Sequence, residues 1–236
     1  MHFHLPKPLH GWREFLGEVG IIVVGVLIAL AAEQVVEAVH LDSQTRHTRD
    51  VLREEISGNY LLATERRDVR HCLDAQLDRM ESAVLASGPV LHPLPMMDEG
   101  IGHFVYRSPS RPWSDNDWQN IRSDQVFASL PEHDRELLTS FYTQLAYMQR
   151  MNDEEDSAVG AASALGSPLP LDPSVRSNLI VLLEMERRRN DLMALIASQI
   201  MATAEKLGDK PDAGQIADYR AQSGTLKFCK SHGLPV

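Results

Sequence analysis

The pattern of hydrophobic and polar positions is most uneven near the N-terminus. The 14 residues from Val19 to Ala32, VGIIVVGVLIALAA, include no charged side chain. A helix needs roughly 20 apolar residues to cross a bilayer, so the predicted span is widened to residues 15–36 and takes in Glu18 and Glu33. A carboxylate near the end of a span is far less costly than one at its centre. The pattern therefore predicts a transmembrane helix with two membrane-embedded polar residues.

A cleaved signal peptide is the alternative for the same segment. Lys7 and Arg13 form a basic leader, and Ala29-Leu30-Ala31 fits the small-x-small pattern of a cleavage site. Two observations favour a retained helix. Glu18 interrupts the approach to the apolar run, and the helical pattern continues past Ala32 without a turn residue. We therefore expect a membrane anchor, with cleavage as the competing interpretation.

Both interpretations export the rest of the chain. A short basic tail stays on the cytoplasmic side of a membrane, whereas long domains cross largely regardless of their charge. We therefore expect residues 1–14 in the cytoplasm, one span over residues 15–36, and residues 37–236 in the periplasm, outside a bacterial inner membrane. The lipid bilayer is then the first predicted partner.

Small residues mark one face of the span, where Gly25, Ala29 and Ala32 lie together. Small residues three or four positions apart let two helices approach closely. Gly and Ala are also common in spans generally, and the sequence leaves both interpretations open. A helix-packing face predicts a homo-oligomer or a partner in a membrane complex.

The segment after the span has helically spaced apolar residues and no proline as far as residue 86. Its second half has steps of 4, 4, 3 and 4, close to a coiled-coil heptad, over Val69, Leu73, Leu77, Met80 and Val84. We predict a long helix over residues 37–86 that ends at Ser87-Gly88-Pro89. The polar stretch 40–50 is the predicted place for a bend.

Residues 88–113, which we call the Pro-rich segment, contain five prolines and cannot form a regular helix. We expect a long crossover loop there, and a binding loop is the functional alternative. Tyr106, Trp113 and Trp118 are then candidate ligand contacts, although we expect both tryptophans to act as core or loop anchors.

Start and stop residues mark the helices that follow. Asp115, Pro131 and Asp172 are typical of helix starts, and Gly208 is typical of a helix end. They predict helices at about 115–127, 131–165, 173–207 and 212–221, and a tail over 225–236. Long helices joined by crossovers predict an all-α fold, with a helical bundle outside the membrane.

Charge and motifs narrow the function classes. The chain has 33 acidic and 23 basic residues and a net charge of −10, which argues against a nucleic-acid binder. No phosphate-binding loop, nucleophile elbow or zinc-ligand spacing occurs in the sequence. We therefore expect no cofactor, metal site or catalytic residue. The acidic run 153–156 and the charged residues between 184 and 189 are interpreted as solvated helix faces.

The chain has two cysteines, Cys72 and Cys229. An even pair in an oxidising compartment favours a disulfide. This bond would fix the C-terminal tail to the first long helix. In a cytoplasmic domain, two separate thiols would be expected instead.

The first 40 residues or so carry a distinctive combination of motifs. Trp12 to Gly20, WREFLGEVG, is followed by IIVVGVLIAL over residues 21–30. This resembles a family of uncharacterised bacterial single-pass membrane proteins, in which a Gly-Glu-[Val/Ile] step precedes a Val-Val-x-Gly-[Ile/Val]-Leu-Ile-Ala-Leu span and a long helix. Weaker similarity continues over 72–80 and 113–142. The resemblance implies topology and fold but no activity.

Two functions follow from these expectations. The leading one is a non-enzymatic, membrane-anchored interaction or scaffold protein, for example an accessory subunit of a larger membrane complex. The alternative is a periplasmic four-helix ligand-sensing domain, which would signal through a partner subunit because residues 1–14 are too few for a cytoplasmic output domain. A ligand pocket at the Pro-rich segment would favour the sensor. A dry bundle with an exposed apolar stripe would favour the scaffold.

Overall fold

The structure is a computed structural model that describes residues 11–95, 97–98, 103–123 and 125–236. Within them the chain forms eight α-helices, one 3-10 helix and four strands of two residues each. The predicted all-α fold is confirmed. The predicted cytoplasmic tail lies outside the described residues as far as residue 10.

The chain divides into two units, residues 1–48 and 49–236. Helix α1 (Gly11–Asp68) begins in the first unit and its last 20 residues belong to the second. It has an 18-residue window with a mean hydropathy of 2.5, none of it buried. This helix is long and apolar enough to cross a membrane. The predicted span, residues 15–36, is helical throughout and exposed.

The predicted bend over residues 40–50 does not coincide with a break in α1, which is continuous there. Side-chain bonds one turn apart support the helix in this stretch, since Gln44 contacts His40 and Arg46 pairs with Asp42. The interruption lies at Val69, after which α2 (Arg70–Ala86) begins. The predicted helix over 37–86 is therefore two helices.

The second unit is a bundle in which α1 and α2 pack with α5 (Glu132–Ala162) and α6 (Pro173–Leu207). One apolar cluster joins α1, α5 and α6, and includes Ile56, Phe141 and Ile200. A second cluster joins α2, the Pro-rich segment and α6, and includes Leu77, Tyr106 and Leu183. The core therefore holds the Pro-rich segment against the long helices.

Local signals set the ends of α6. The Asp172 carboxylate accepts hydrogen bonds from the N–H groups of Ser174 (2.8 Å) and Val175 (2.9 Å), and Pro173 is the first helical residue. Gly208 ends the helix in the left-handed region at φ 76°. The predicted bounds of this helix, 173–207, are confirmed. α7 (Ala213–Gln222) begins after a capping box and lies within one residue of its predicted bounds.

Three predicted elements differ from the structure. The helix predicted over 115–127 is two short helices, α3 (Asn116–Ile121) and α4 (Gln125–Ser129), and α3 is followed by a turn at Arg122 and Ser123. The helix predicted to reach 165 changes to a 3-10 turn over Ser163–Gly166. The predicted tail contains helix α8 (Gly224–Ser231), whose start is capped by the Ser223 hydroxyl.

The Pro-rich segment is more regular than a plain crossover loop. Strand β1 (Val90–Leu91) pairs antiparallel with β4 (Leu169–Pro170), with Leu91 opposite Leu169. Strand β2 (Met97–Asp98) pairs with β3 (His103–Phe104). The first pair connects the start of this segment to the connection between α5 and α6.

Candidate functional site

The Pro-rich segment, residues 88–113, is fixed to α1 through the buried carboxylate of Glu65. Arg111 donates two hydrogen bonds to it, at 2.5 Å from Nε and 2.7 Å from Nη2. The hydroxyls of Tyr219 and Ser223 also donate to it. Burial alone raises the pKa of a carboxyl, but these donors outweigh burial and hold the pKa of Glu65 below its ordinary value. We call these four residues the Glu65 cluster.

Glu55 lies in α1, six residues after the start of the second unit, and its carboxylate accepts hydrogen bonds at the N-terminus of α3. Its Oε1 accepts from the Ser114 hydroxyl (2.9 Å) and the Asp117 N–H (3.1 Å). Its Oε2 accepts from the Tyr142 hydroxyl (2.8 Å) and the Trp118 N–H (3.3 Å). A carboxylate in this place satisfies unpaired backbone donors and the positive end of the helix dipole. Glu55 therefore has a structural role in positioning α3.

The three aromatic residues singled out in the Pro-rich region are buried. Trp113 and Trp118 are each 8% exposed and Tyr106 is 1% exposed. Trp118 stacks on Tyr142, with ring centroids 4.6 Å apart and planes 2° from parallel. These side chains hold the segment against the helices, as we expected for the two tryptophans.

A second buried charge lies next to Glu65 in α1. Arg66 Nη1 donates to Glu155 Oε2 at 2.7 Å, and the two side chains are 1% and 2% exposed. Arg66 Nη2 donates to Asn190 Oδ1 at 3.2 Å, and Asn190 Nδ2 donates to Asp74 Oδ1 at 2.6 Å. One connected hydrogen-bond network therefore links helices α1, α2, α5 and α6. We call these four residues the Arg66 cluster.

Polar atoms around the Arg66 cluster are incompletely paired. In the described residues, Arg66 Nε, Tyr106 Oη and Glu186 Oε2 have no hydrogen-bond partner. Tyr106 and Glu186 line an enclosed cavity of about 10 Å³, which has room for about one water. Burial raises the pKa of Tyr106, and it raises the pKa of Glu186 against the opposing effect of Arg189.

Two charged runs, 153–156 and 184–189, were interpreted as solvated helix faces, but each has one residue in the core. Glu155, in the run 153–156, is 1% exposed, and Glu186 is 5% exposed. Successive residues of a helix point in different directions, so one member of each run faces the core. There Arg66 pairs with Glu155, and Arg189 pairs with Glu186. The interpretation of these runs as fully solvated is wrong.

The buried carboxylates Glu55 and Glu65 were missed by sequence reasoning, which singled out Glu18 and Glu33 alone. A weak signal was present for Glu55, since it lies three residues after Leu52 and one before Ile56, both fully buried. A polar residue inside an apolar helical stripe is a candidate for a paired, buried group. For Glu65 the deciding partners lie 46 and 154 residues away.

The predicted disulfide joins Cys72 of α2 to Cys229 of α8, with the Cα atoms 5.9 Å apart. Both cysteines are fully buried and pack with Phe228 and Leu234 in a small apolar cluster. Their sequence separation is 157 residues, and closing a loop of that length stabilises a fold by about 5 kcal/mol in the chain-entropy model. The bond fixes the C-terminal helix to α2.

The polar and small residues predicted to matter in the span are exposed on α1. They are Glu18, Gly25, Ala29, Ala32 and Glu33. A Cβ atom added at Gly25 would meet no atom of the described residues within 4 Å. Close helix packing on this face stays a prediction.

An apolar stripe on α6 is left uncovered by the bundle. Val181, Met185 and Leu195 are 55%, 56% and 54% exposed, and Leu192 is half-buried beside them. With Arg188 they follow a spacing of 4, 3, 4 and 3, which places all five on one helical face. We call these five residues the α6 stripe.

The described residues include no group of three or more His, Cys, Asp or Glu side chains that could hold a metal ion. No protein-family model, curated protein or solved structure matches this chain.

Proposed function

We propose that this chain is a non-enzymatic, membrane-anchored interaction or scaffold protein. The observation that carries the proposal is the α6 stripe. Large apolar side chains exposed along one helical face are typical of a surface that receives another protein. The same chain has an apolar helix suited to a membrane, so the surface would act beside a bilayer.

The topology belongs to the same proposal. Residues 1–14 lie in the cytoplasm of a bacterium, α1 crosses the inner membrane over residues 15–36, and residues 37–236 are periplasmic. The Cys72–Cys229 disulfide supports an oxidising compartment. The basic residues of the tail favour a cytoplasmic N-terminus. The N-terminal resemblance to bacterial single-pass proteins agrees with this orientation and with an oxidising compartment for the rest of the chain.

A role as accessory subunit of a membrane complex would use two contacts. The face with Gly25, Ala29 and Ala32 would pack against a partner helix within the bilayer. Glu18 and Glu33 would meet polar groups of that partner, because carboxylates in a span are costly without one. The α6 stripe would add a contact outside the bilayer. A homo-oligomer through the span uses the same face.

A ligand-sensing domain is the second candidate, and the cavity between Tyr106 and Glu186 favours it. Each of these two residues has a buried polar atom without a hydrogen-bond partner in the described part of the chain, and both residues line the cavity. Its volume of about 10 Å³ suits about one water rather than a metabolite. The scaffold proposal therefore ranks first.

The test is purification of the C-terminally tagged chain from its native membrane in mild detergent, followed by mass spectrometry. We expect a stoichiometric membrane-protein companion that is lost in Met185→Glu. Arg79→Glu, on an exposed position of α2, is the control and keeps the companion. Protease added to intact spheroplasts should remove the tag. A chain that purifies alone as a monomer, or a tag that stays protected, would contradict the proposal.

A further inference from the structure

The α6 stripe borders a groove between α5 and α6. Its lining includes Tyr147 and Arg150 from α5 and Met185, Arg188 and Leu192 from α6, and its volume is about 310 Å³. Tyr147 is 42% exposed and Met185 is 56% exposed. The groove therefore presents an aromatic ring, a thioether and an aliphatic side chain to solvent.

Three arginines and one carboxylate, Glu154, line this groove. In the part of the chain that the structure describes, neither Arg150 nor Arg188 forms an ion pair, whereas Arg189 pairs with Glu154 and Glu186. The Arg150 guanidinium lies 5.1 Å from the centroid of the Tyr147 ring. With three arginines against one carboxylate, the groove is a local cationic patch in a chain with a net charge of −10.

The dimensions of the stripe suit a helix. Val181 and Leu195 are 14 residues apart, which corresponds to about 21 Å at 1.5 Å per residue. Alternating steps of four and three are the spacing that keeps one helix in register with another. A helix of about four turns would cover the stripe and reach the groove.

A second copy of this chain is a poor occupant of the stripe. Arg188 is central, seven residues from Val181 and seven from Leu195. Pairing two copies in register, parallel or antiparallel, would place Arg188 opposite its own counterpart. Like charges in facing positions disfavour association, whereas an acidic residue in the partner would form an ion pair there.

We propose that the α6 stripe and its groove bind an amphipathic helix of another protein that carries acidic residues beside its apolar seam. Apolar side chains of that helix cover Met185, Leu192 and Leu195, while its carboxylates pair with Arg150 and Arg188. Tyr147 adds an aromatic contact at the edge. This inference rests on the proposed interaction function and names the chemistry of the partner.

The probe is a fluorescent synthetic helical peptide of about 21 residues with leucine at the seam positions and glutamate beside them. A matched peptide has lysine in place of each glutamate. Binding to the full chain in detergent is followed by fluorescence anisotropy. We expect the glutamate peptide to bind about tenfold more tightly than the lysine peptide.

Variants decide whether the groove is responsible. Arg188→Glu should weaken the glutamate peptide about tenfold and strengthen the lysine peptide, because the sign of the central charge is reversed. Arg79→Glu makes the same charge change on α2 and should alter neither affinity. Partition of the peptides into detergent is equal in both variants, so it cancels in the comparison.

Three outcomes would overturn the inference: equal affinity for the two peptides, equal effects of the two variants, or a wild-type dimer that Met185→Glu converts to a monomer. The last result would make a second copy the occupant. A native companion that survives Arg188→Glu and Met185→Glu would leave the interaction function standing and remove this surface from it. A chain without any companion would count against the interaction function itself.

Discussion

Glu65 and Arg66 are consecutive residues of α1, yet they belong to buried clusters that differ in how completely their polar atoms are paired. Both oxygens of Glu65 accept two hydrogen bonds each, from Arg111, Tyr219 and Ser223. In and around the Arg66 cluster, three buried polar atoms, one of them Arg66 Nε, have no partner in the described residues. The number of donors decides the direction of the pKa shift, which is downward for Glu65 and upward for Glu186.

The difference separates two uses of buried charge. A fully paired carboxylate holds separate segments in one arrangement, and Glu65 joins α1 to the Pro-rich segment and to α7. An incompletely paired group carries a desolvation cost that its contacts do not offset. Substitutions that remove a hydrogen bond to Glu65 should therefore destabilise the fold. Substitutions that remove an unpaired polar atom near Arg66 should remove part of the desolvation cost.

Arg66→Met is expected to have the largest effect, a loss of about 3–5 kcal/mol in the free energy of unfolding. It leaves Glu155 buried without its cation, and the measurement is chemical unfolding of the full chain followed by tryptophan fluorescence. The double variant Arg66→Met/Glu155→Met is the control. It should recover much of the loss, because apolar groups of similar volume replace the whole pair. A single variant as stable as wild type would refute the described burial.

Glu65→Gln should cost about 2–3 kcal/mol at neutral pH, since hydrogen bonds to a charged group are the stronger ones. The folded pKa of Glu65 lies below its unfolded value, so its stabilisation is present above the unfolded pKa. It is lost as pH falls through the folded pKa. Unfolding measured between about pH 7 and pH 3 should show a smaller acid sensitivity in the variant. Identical pH profiles would contradict the pairing of this carboxylate.

Glu186→Gln should change stability by less, under about 1 kcal/mol, and with the opposite pH dependence. The folded pKa of Glu186 is raised by burial, so ionisation opposes folding as pH rises from the unfolded pKa through the folded one. The variant should gain relative to wild type on going from acid to neutral pH. The same unfolding series measures this, and a relative loss over that range would exclude the raised pKa.

Tyr106→Phe should have the smallest effect, within about 0.5 kcal/mol of wild type, because the deleted hydroxyl has no partner among the residues that the structure describes. Tyr142→Phe is the matched control. Its hydroxyl donates to Glu55 at 2.8 Å, so its loss should cost about 1.5–3 kcal/mol. Thermal unfolding of both variants distinguishes the two, and equal losses would mean that Tyr106 has an ordered partner.

Sequence reasoning succeeded where a local signal decided the structure. Asp172, Pro173 and Gly208 set the ends of α6 through bonds to neighbouring residues and through backbone conformation. The apolar segment of α1 needed only hydropathy. The disulfide could be predicted because the chain has two cysteines, and the one added assumption was an oxidising compartment.

The rest depends on contacts between distant residues. The packing of α5 on α1 decides whether Glu155 faces solvent or Arg66, and these two residues are 89 positions apart in the sequence. Met185 and Leu195 have the spacing of core residues, and the sequence does not say which faces of α6 the bundle covers. The candidate surface therefore emerged only from the structure.

The Cys72–Cys229 bond makes the backbone between these residues a covalent ring. A single proteolytic cut inside the ring, for instance in the Pro-rich segment, opens it without separating the two pieces. The C-terminal piece stays attached to α1 through α2 until a reductant is added. A single cut therefore separates the ring from the N-terminal part of α1 only if it falls before residue 72, where the backbone is helical from Gly11 onward except at Val69. Proteolytic cuts concentrate in exposed loop tips rather than in helices.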